Sequence, residues 1–303
     1  MSAQTIKISA PSVVAAYTSI TIVKPSTTVL DTKLLFDRAH KEAALSPIDR
    51  FIVNTNDLNK ILFKPDPLTW EESTFLLLGY ISATEGYFRS LIRKIINIDE
   101  HSLRHVEKQD ISYAAALHKN TEFLPEALME NHSFSSAFGI RSALKELLDI
   151  KNQYPSAIEA LFEEYKKICQ IRHCCVHRYG RLGSKNAIEL GFSAHNDLIE
   201  KPIKLTSNDL AEISEILRTL IKSLNNHVFQ RIMERTADVD HNNKGRYYSW
   251  TWSWVYSNDK TRFKLYYDIF STKKDAIGSP KIKAIYDSFK KELSPTLKVT
   301  KKK

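Results

Sequence analysis

Apolar residues recur at three- to four-residue spacing from Trp70 to Ile98, and this run constrains the fold more than any other feature. Phe75, Leu78, Ile81 and Ala83, then Phe88, Leu91, Ile92 and Ile95, define one face of a long helix. Glu85 and Arg89 stand four residues apart on it, as an ion pair would. Such a face is buried only by packing on other elements, and the chain supplies three more helical patterns. Ser133 or Ser135 is placed to cap a helix reaching Asp149, with Phe138, Ala143, Leu144, Leu147 and Leu148 on its apolar side. Pro155 suits the first turn of another, which carries Ile158, Leu161, Phe162, Tyr165, Ile168 and Cys169 before Gly180 and Gly183 end it. Ser207 or Asn208 caps a fourth, through Leu210, Ile213, Leu217, Leu220, Leu224, Val228 and Ile232. Short connections make these four helices an antiparallel bundle, and the fold class is mainly α.

The flanks read differently. Residues 1–68 are mixed, with β-type runs at Val13–Tyr17 and Ile20–Val23 and a helix expected over Asp31–Ala44. A short helix is expected near Ile111–His118, and an extended segment over Ala187–Phe192. From Arg246 to Phe270 the residues alternate with period two on both sides of a turn-like Ser257–Lys260. This predicts a β-hairpin with Trp250, Trp252 and Trp254 on one face, followed by a basic helix over Lys281–Leu293. The boundaries implied are 1–68, 69–236 and 237–303.

Charge separates the last segment from the rest. The whole chain carries +9, but residues 241–303 hold 15 Lys and Arg against 5 Asp and Glu. Residues 1–240 hold 29 basic and 30 acidic residues. A basic segment on a neutral body fits a polyanion-binding appendage. Three cysteines, Cys169, Cys174 and Cys175, are too few and too clustered for a disulfide framework. With no secretory signal and no apolar run long enough for a bilayer, a cytoplasmic protein without membrane partners is expected.

The chemistry concentrates in Arg172-His173-Cys174-Cys175-Val176-His177, followed by Arg178-Tyr179-Gly180. Arginine grips a phosphate through a rigid fork of donors. Histidine exchanges a proton near neutral pH. Together they are the minimum equipment for cleaving RNA without a metal. At about 100° per residue, Arg172 and His177 stand roughly 140° apart on an ideal helix, so one copy does not aim both at one phosphate.

This stretch resembles the signature of the HEPN superfamily, in which Arg is followed after four to six residues by His near the end of a long helix. His173 occupies the polar place that usually follows the Arg, and the order of long helices over residues 70–236 is similar. The resemblance implies a HEPN-like helical domain and a metal-independent endoribonuclease needing no cofactor. It implies 2′-hydroxyl attack giving a 2′,3′-cyclic phosphate and a 5′-hydroxyl. It also implies a homodimer with two motifs facing each other, and a defence or toxin role under a possible antitoxin or sensor protein. His177 is then the acid–base group, Arg172 the phosphate clamp, and His173 an auxiliary. Arg178, Lys260, Arg262 and Lys264 are the RNA-contact candidates, the substrate being tRNA, mRNA or rRNA.

Other readings compete. Cations at a helix C-terminus are favoured by the dipole alone. Cys169, His173 and His177, at i, i+4 and i+8, have zinc-ligand spacing but lack a convincing fourth ligand. The three tryptophans either stack on bases or pack inward. A non-catalytic nucleic-acid-binding protein on the same helices is the main functional rival.

Overall fold

The computed structural model describes residues 20–21, 28–117, 121–237 and 248–294. The chain forms two compact units, Met1–Ala44 and Leu45–Lys303.

In the first unit the expected helix over Asp31–Ala44 is only a 3-10 turn, Thr32–Leu35, with Asp31 accepting from the Lys33 amide at 3.1 Å. Leu34 and Phe36 are 80% and 76% exposed, so no buried face supports a longer helix. Of the two β-type runs, Val13–Tyr17 and residues 22–23 lie outside the described residues, and Ile20 and Thr21 form a bend.

The second unit is helical, with no strand among the described residues. Helix α1, Pro47–Leu62, was not anticipated, although Ser46-Pro47 is a standard helix opening. Its residues Ile48, Phe51 and Ile52 are buried. Helix α2, Trp70–Ile98, is the centre of the unit. A reciprocal cap starts it, Thr69 Oγ1 accepting from the Glu72 amide while Glu72 accepts from the Thr69 amide. It packs against α1, α6 (Ala137–Leu148), α7 (Ser156–Arg178) and α9 (Ser207–Ala237). Leu77, Tyr80, Phe88, Leu91, Ile92 and Ile95 are all solvent-free. Between α2 and α6 lie the short helices α3 (Glu100–Val106), α4 (Tyr113–Ala116) and α5 (Leu124–Leu128). The cap of α6 is Ser136, whose hydroxyl accepts from Gly139, and Phe138 points outward at 82% exposure. No helix among the described residues is long and apolar enough to cross a membrane.

Two expected extended segments are helices. Residues 187–192 belong to α8, Ser184–His195, which bends at Gly191, where φ is +103°. The second arm of the expected hairpin is α10, Tyr256–Phe270. The run offered two periods at once, because Phe263, Leu265, Tyr266, Tyr267, Ile269 and Phe270 are all apolar or aromatic. Burial picks the helical one: Phe263, Tyr266 and Phe270 are covered while Leu265 is 49% exposed. The first arm is irregular. Asp259 on α10 accepts from the Ser253 and Trp254 amides at 3.0 and 2.9 Å. Trp252 is buried against Phe263 and Phe289, with its indole donating to Thr236 at 3.0 Å. The tryptophan stripe therefore packs inward at its centre. The basic helix is present as α11, Ile282–Leu293.

Buried carboxylates fasten this C-terminal part to the bundle. Asp49 of α1 accepts from the Thr272 hydroxyl and the Lys273 and Lys274 amides at 2.6–2.9 Å. Asp99, solvent-free between α2 and α3, meets Arg235 of α9 at 2.6 Å, the Tyr248 hydroxyl at 2.8 Å and the Tyr266 hydroxyl at 3.1 Å. Ser102 adds its amide and hydroxyl. Burial alone raises the Asp99 carboxyl, but Arg235 and these donors outweigh it and hold the group below its ordinary value of 3.8. The stabilisation is therefore present above that value and is lost as pH falls through the lower folded value. Asp99→Ala leaves Arg235 buried without its carboxylate and is expected to cost roughly 3–5 kcal/mol in urea unfolding at pH 7. The penalty should shrink in acid, and an equal penalty at all pH values would contradict the pairing.

Candidate active site

Helix α7 places the motif. Ile158, Phe162, Tyr165, Ile168, Cys169 and Cys175 fix one side of it to the core, and the Tyr165 hydroxyl donates to the Phe134 carbonyl at 2.6 Å. The helix continues through His177 and Arg178 before Tyr179, at φ +49°, ends it. The motif thus lies wholly on regular helix, and the angular separation of Arg172 from His177 is kept.

His173 and His177 are exposed neighbours one turn apart, their rings meeting edge-to-face with centroids 4.7 Å apart. Both line an open groove of about 800 Å³ between α7 and α8. Arg178, Gln170 and the first turn of α8, Ser184 to Asn186, complete its polar wall. Gly183 precedes α8 and has no side chain to cap it, so that helix start faces the groove with no side-chain hydrogen bond at its cap. Asn186 is held by Gln170 at 2.8 Å. Lys185 and Ser184 were missed from the sequence because the start of α8 had no assigned place, and Gln170 because it lies outside the motif string on α7.

Arg172 is not in this groove. It is half-buried on the α2 side, close enough to Glu85 for its charge to act on that carboxyl. Partial burial pushes Glu85 up, and the Arg172 and then the Arg89 guanidinium pull it back. Arg89 lies 3.6 Å from Glu126, a partner the sequence did not suggest. The structure brings His173, His177 and Arg178 together and leaves Arg172 on another face of the same helix.

The expected RNA contacts divide further. Arg178 is ion-paired with Glu200, and Lys264 with Asp268. Arg262 stacks on Trp250, its guanidinium 4.1 Å from the ring centroid. Lys260 is exposed on the first turn of α10. Helix α10 packs on α1, α2, α9 and α11, whereas the groove belongs to α7 and α8.

The zinc spacing does not survive as a ligand set. Cys169 is turned to the core, and burial pushes its thiol up to about 12. Among the described residues no three His, Cys, Asp or Glu side chains gather as a metal site. Cys175 is likewise buried and pushed up to about 11. Neither thiol is an activated nucleophile.

The chain matches no family model, no curated protein and no solved structure.

The His173 imidazole is held below its ordinary value of 6.5, first by desolvation, then by His177 and Arg172. A lowered histidine binds fewer protons folded than unfolded, so this contribution opposes folding as pH falls through 6.5. An NMR titration of the His173 ring should give a midpoint below 6.5, and His177→Ala should move it upward. A midpoint indifferent to both His177→Ala and Arg172→Ala would mean that the three groups do not share a field.

Proposed function

We propose that the chain is a metal-independent endoribonuclease of HEPN type, which cuts RNA through attack of a 2′-hydroxyl on the adjacent phosphorus. The observation that carries this reading is the His173–His177 pair opening on one groove with Arg178 and Lys185. Cleavage needs a base for the 2′-hydroxyl proton, an acid for the 5′-oxygen and a cation for the developing charge. His173, held low in its titration, is neutral at pH 7 and takes the 2′-proton. His177 returns a proton to the leaving oxygen. The new bond joins the 2′-oxygen to phosphorus and the broken bond frees the 5′-oxygen, leaving a 2′,3′-cyclic phosphate and a 5′-hydroxyl.

Arg172 enters from a second copy. Its place beside Glu85, on a face of α7 away from the groove, leaves each protomer with one half of the machinery exposed. A two-fold pairing that turns α7 of one protomer to the groove of the other supplies the missing guanidinium twice. Along the RNA, Arg262 on Trp250 and the exposed Lys260 offer phosphate and base contacts away from the reacting bond.

The purified protein, incubated with total RNA and tRNA in EDTA, should leave cyclic-phosphate and 5′-hydroxyl ends. His177→Ala and Arg172→Ala should each lower the rate by about 100- to 10,000-fold. Equal cutting by both variants would place the chemistry elsewhere. RNA binding without cutting by the parent protein would leave a non-catalytic RNA-binding protein on the same helices. Light scattering should give a dimer, and a strictly monomeric active species would overturn the composite site.

A further inference from the structure

Tyr179 is an unusual residue for its position. The residue ending α7 takes left-handed backbone angles, φ +49° and ψ +48°, where glycine or asparagine is the usual choice. A side chain with a Cβ is disfavoured there. Glycine stands one residue later, at Gly180, where φ is +77° and a Cβ would lie 2.6 Å from Cζ2 of Trp70. The chain thus uses its glycine where the Trp70 ring demands it, and sets a tyrosine on the strained position beside it.

Burial accounts for little of that choice. Tyr179 is 75% exposed, so most of its ring remains in water and gains little from burial. The ring is nonetheless firmly mounted. Trp70, the first residue of α2, backs it with centroids 4.8 Å apart at 45°. The Gly180 amide donates to Cys174 at 3.0 Å, and its carbonyl accepts from Ile203 at 2.8 Å. Beyond it, Leu182 and residues 200–201 exchange two backbone bonds, forming the isolated bridge Arg181–Pro202. An exposed aromatic face with a rigid mount is a stacking surface whose conformational cost is already met in the free protein.

Its neighbours say what stacks there. Tyr179 follows Arg178 and lies two residues past His177, so its Cα is no more than about 7 Å from that of His177. His177, Arg178, His173 and Lys185 line the groove on one side. A ligand spanning both must carry an anionic group for the cations and a flat π-face for the ring. A polynucleotide has both, one per residue. We propose that Tyr179 is a nucleobase-stacking residue, holding a base of single-stranded RNA next to the phosphate that lies in the α7–α8 groove. This rests on the ribonuclease reading for the identity of the polymer but not on any chemical step. Stacking on a phenol ring engages the π-face that every base has, so it selects for unstacked bases rather than for one base.

The test uses the intact protein and a short 2′-O-methyl RNA, which lacks the nucleophile and is bound without being cut. One position carries 2-aminopurine. Binding should quench its fluorescence, and Tyr179→Phe should bind within about twofold of the parent. Tyr179→Gly should weaken binding about tenfold and abolish the quench. Glycine relieves the left-handed strain, so its melting temperature should be equal or higher, which separates lost stacking from lost folding. With an abasic ribose–phosphate oligomer, parent and Tyr179→Gly should bind alike. Unchanged affinity and quench in Tyr179→Gly would overturn the proposal. The two readings fail separately. Stacking that survives while natural RNA is never cut removes the nuclease alone, and normal cutting that depends on His177 but not on Tyr179 removes the stacking site alone.

Discussion

A buried carboxylate holds the architecture in register. Asp99 ends α2 and begins α3, and it gathers a guanidinium from α9 and two phenols from the C-terminal part within 3.1 Å. An unpaired carboxylate there would be prohibitive, and an unpaired Arg235 equally so. The elements must therefore arrive together. That requirement makes the basic C-terminal part a component of the bundle, although its charge marks it as distinct. Asp49 and Asp259 repeat the device on a smaller scale, each drawing two backbone amides of an irregular segment onto a helix. Carboxylates with backbone and phenol donors are directional, so they choose one docking geometry where apolar contact alone would accept several.

The site inherits its geometry from this frame. Helix α2 is fixed at one end by the Thr69–Glu72 cap and at the other by Asp99. Helix α7 lies on it, with Tyr165 and Cys169 inward, and this rotation decides which motif residues reach solvent. With those side chains turned to the core, Arg172 is left facing Glu85 and the two histidines face outward. Trp70 closes the arrangement at the far end, because its ring occupies the space that any Cβ at residue 180 would need. The first residue of the central helix thus sets the turn that ends the motif helix.

The sequence made the four principal helices, α2, α6, α7 and α9, legible because each repeats its apolar spacing over several turns, and the motif was legible as a short string of chemically loaded residues. The angular conflict between Arg172 and His177 was also visible, since helical phase needs no tertiary information. The partner of Arg89 was not, because Glu126 comes from another element. Helix α1, with Ile48, Phe51, Ile52 and Leu62 buried, was missed although Ser46-Pro47 is a standard helix opening. The C-terminal region failed for a physical reason: the aromatic and apolar residues clustered at 263–270 satisfy periods of two and of 3.6 together. Only the covering of Tyr266 by Asp99 and of Phe263 by Trp252 selects the helix. At α8, the β-branched and aromatic residues around Gly191 resemble a strand, and Gly191 does bend the helix there.

Electrostatics gives a reason for dividing the motif between faces. His173, His177, Arg178 and Lys185 already bring cationic or protonatable groups to one groove; Glu189, its one acidic lining residue, is paired with Lys166 at 3.3 Å, and Glu200 is paired with Arg178. Adding Arg172 to that groove in the free protein would place another fixed positive charge beside two imidazoles and drive both toward the neutral form. Under the proposed acid–base reading, that would leave the pair without an acid. Seating Arg172 against Glu85 keeps the guanidinium compensated and at a distance, where its effect on His173 ranks below those of desolvation and His177. Under the composite-site reading, the guanidinium meets the histidines only when a phosphate lies between them. On that reading the bound anion offsets the repulsion between the guanidinium and the imidazoles.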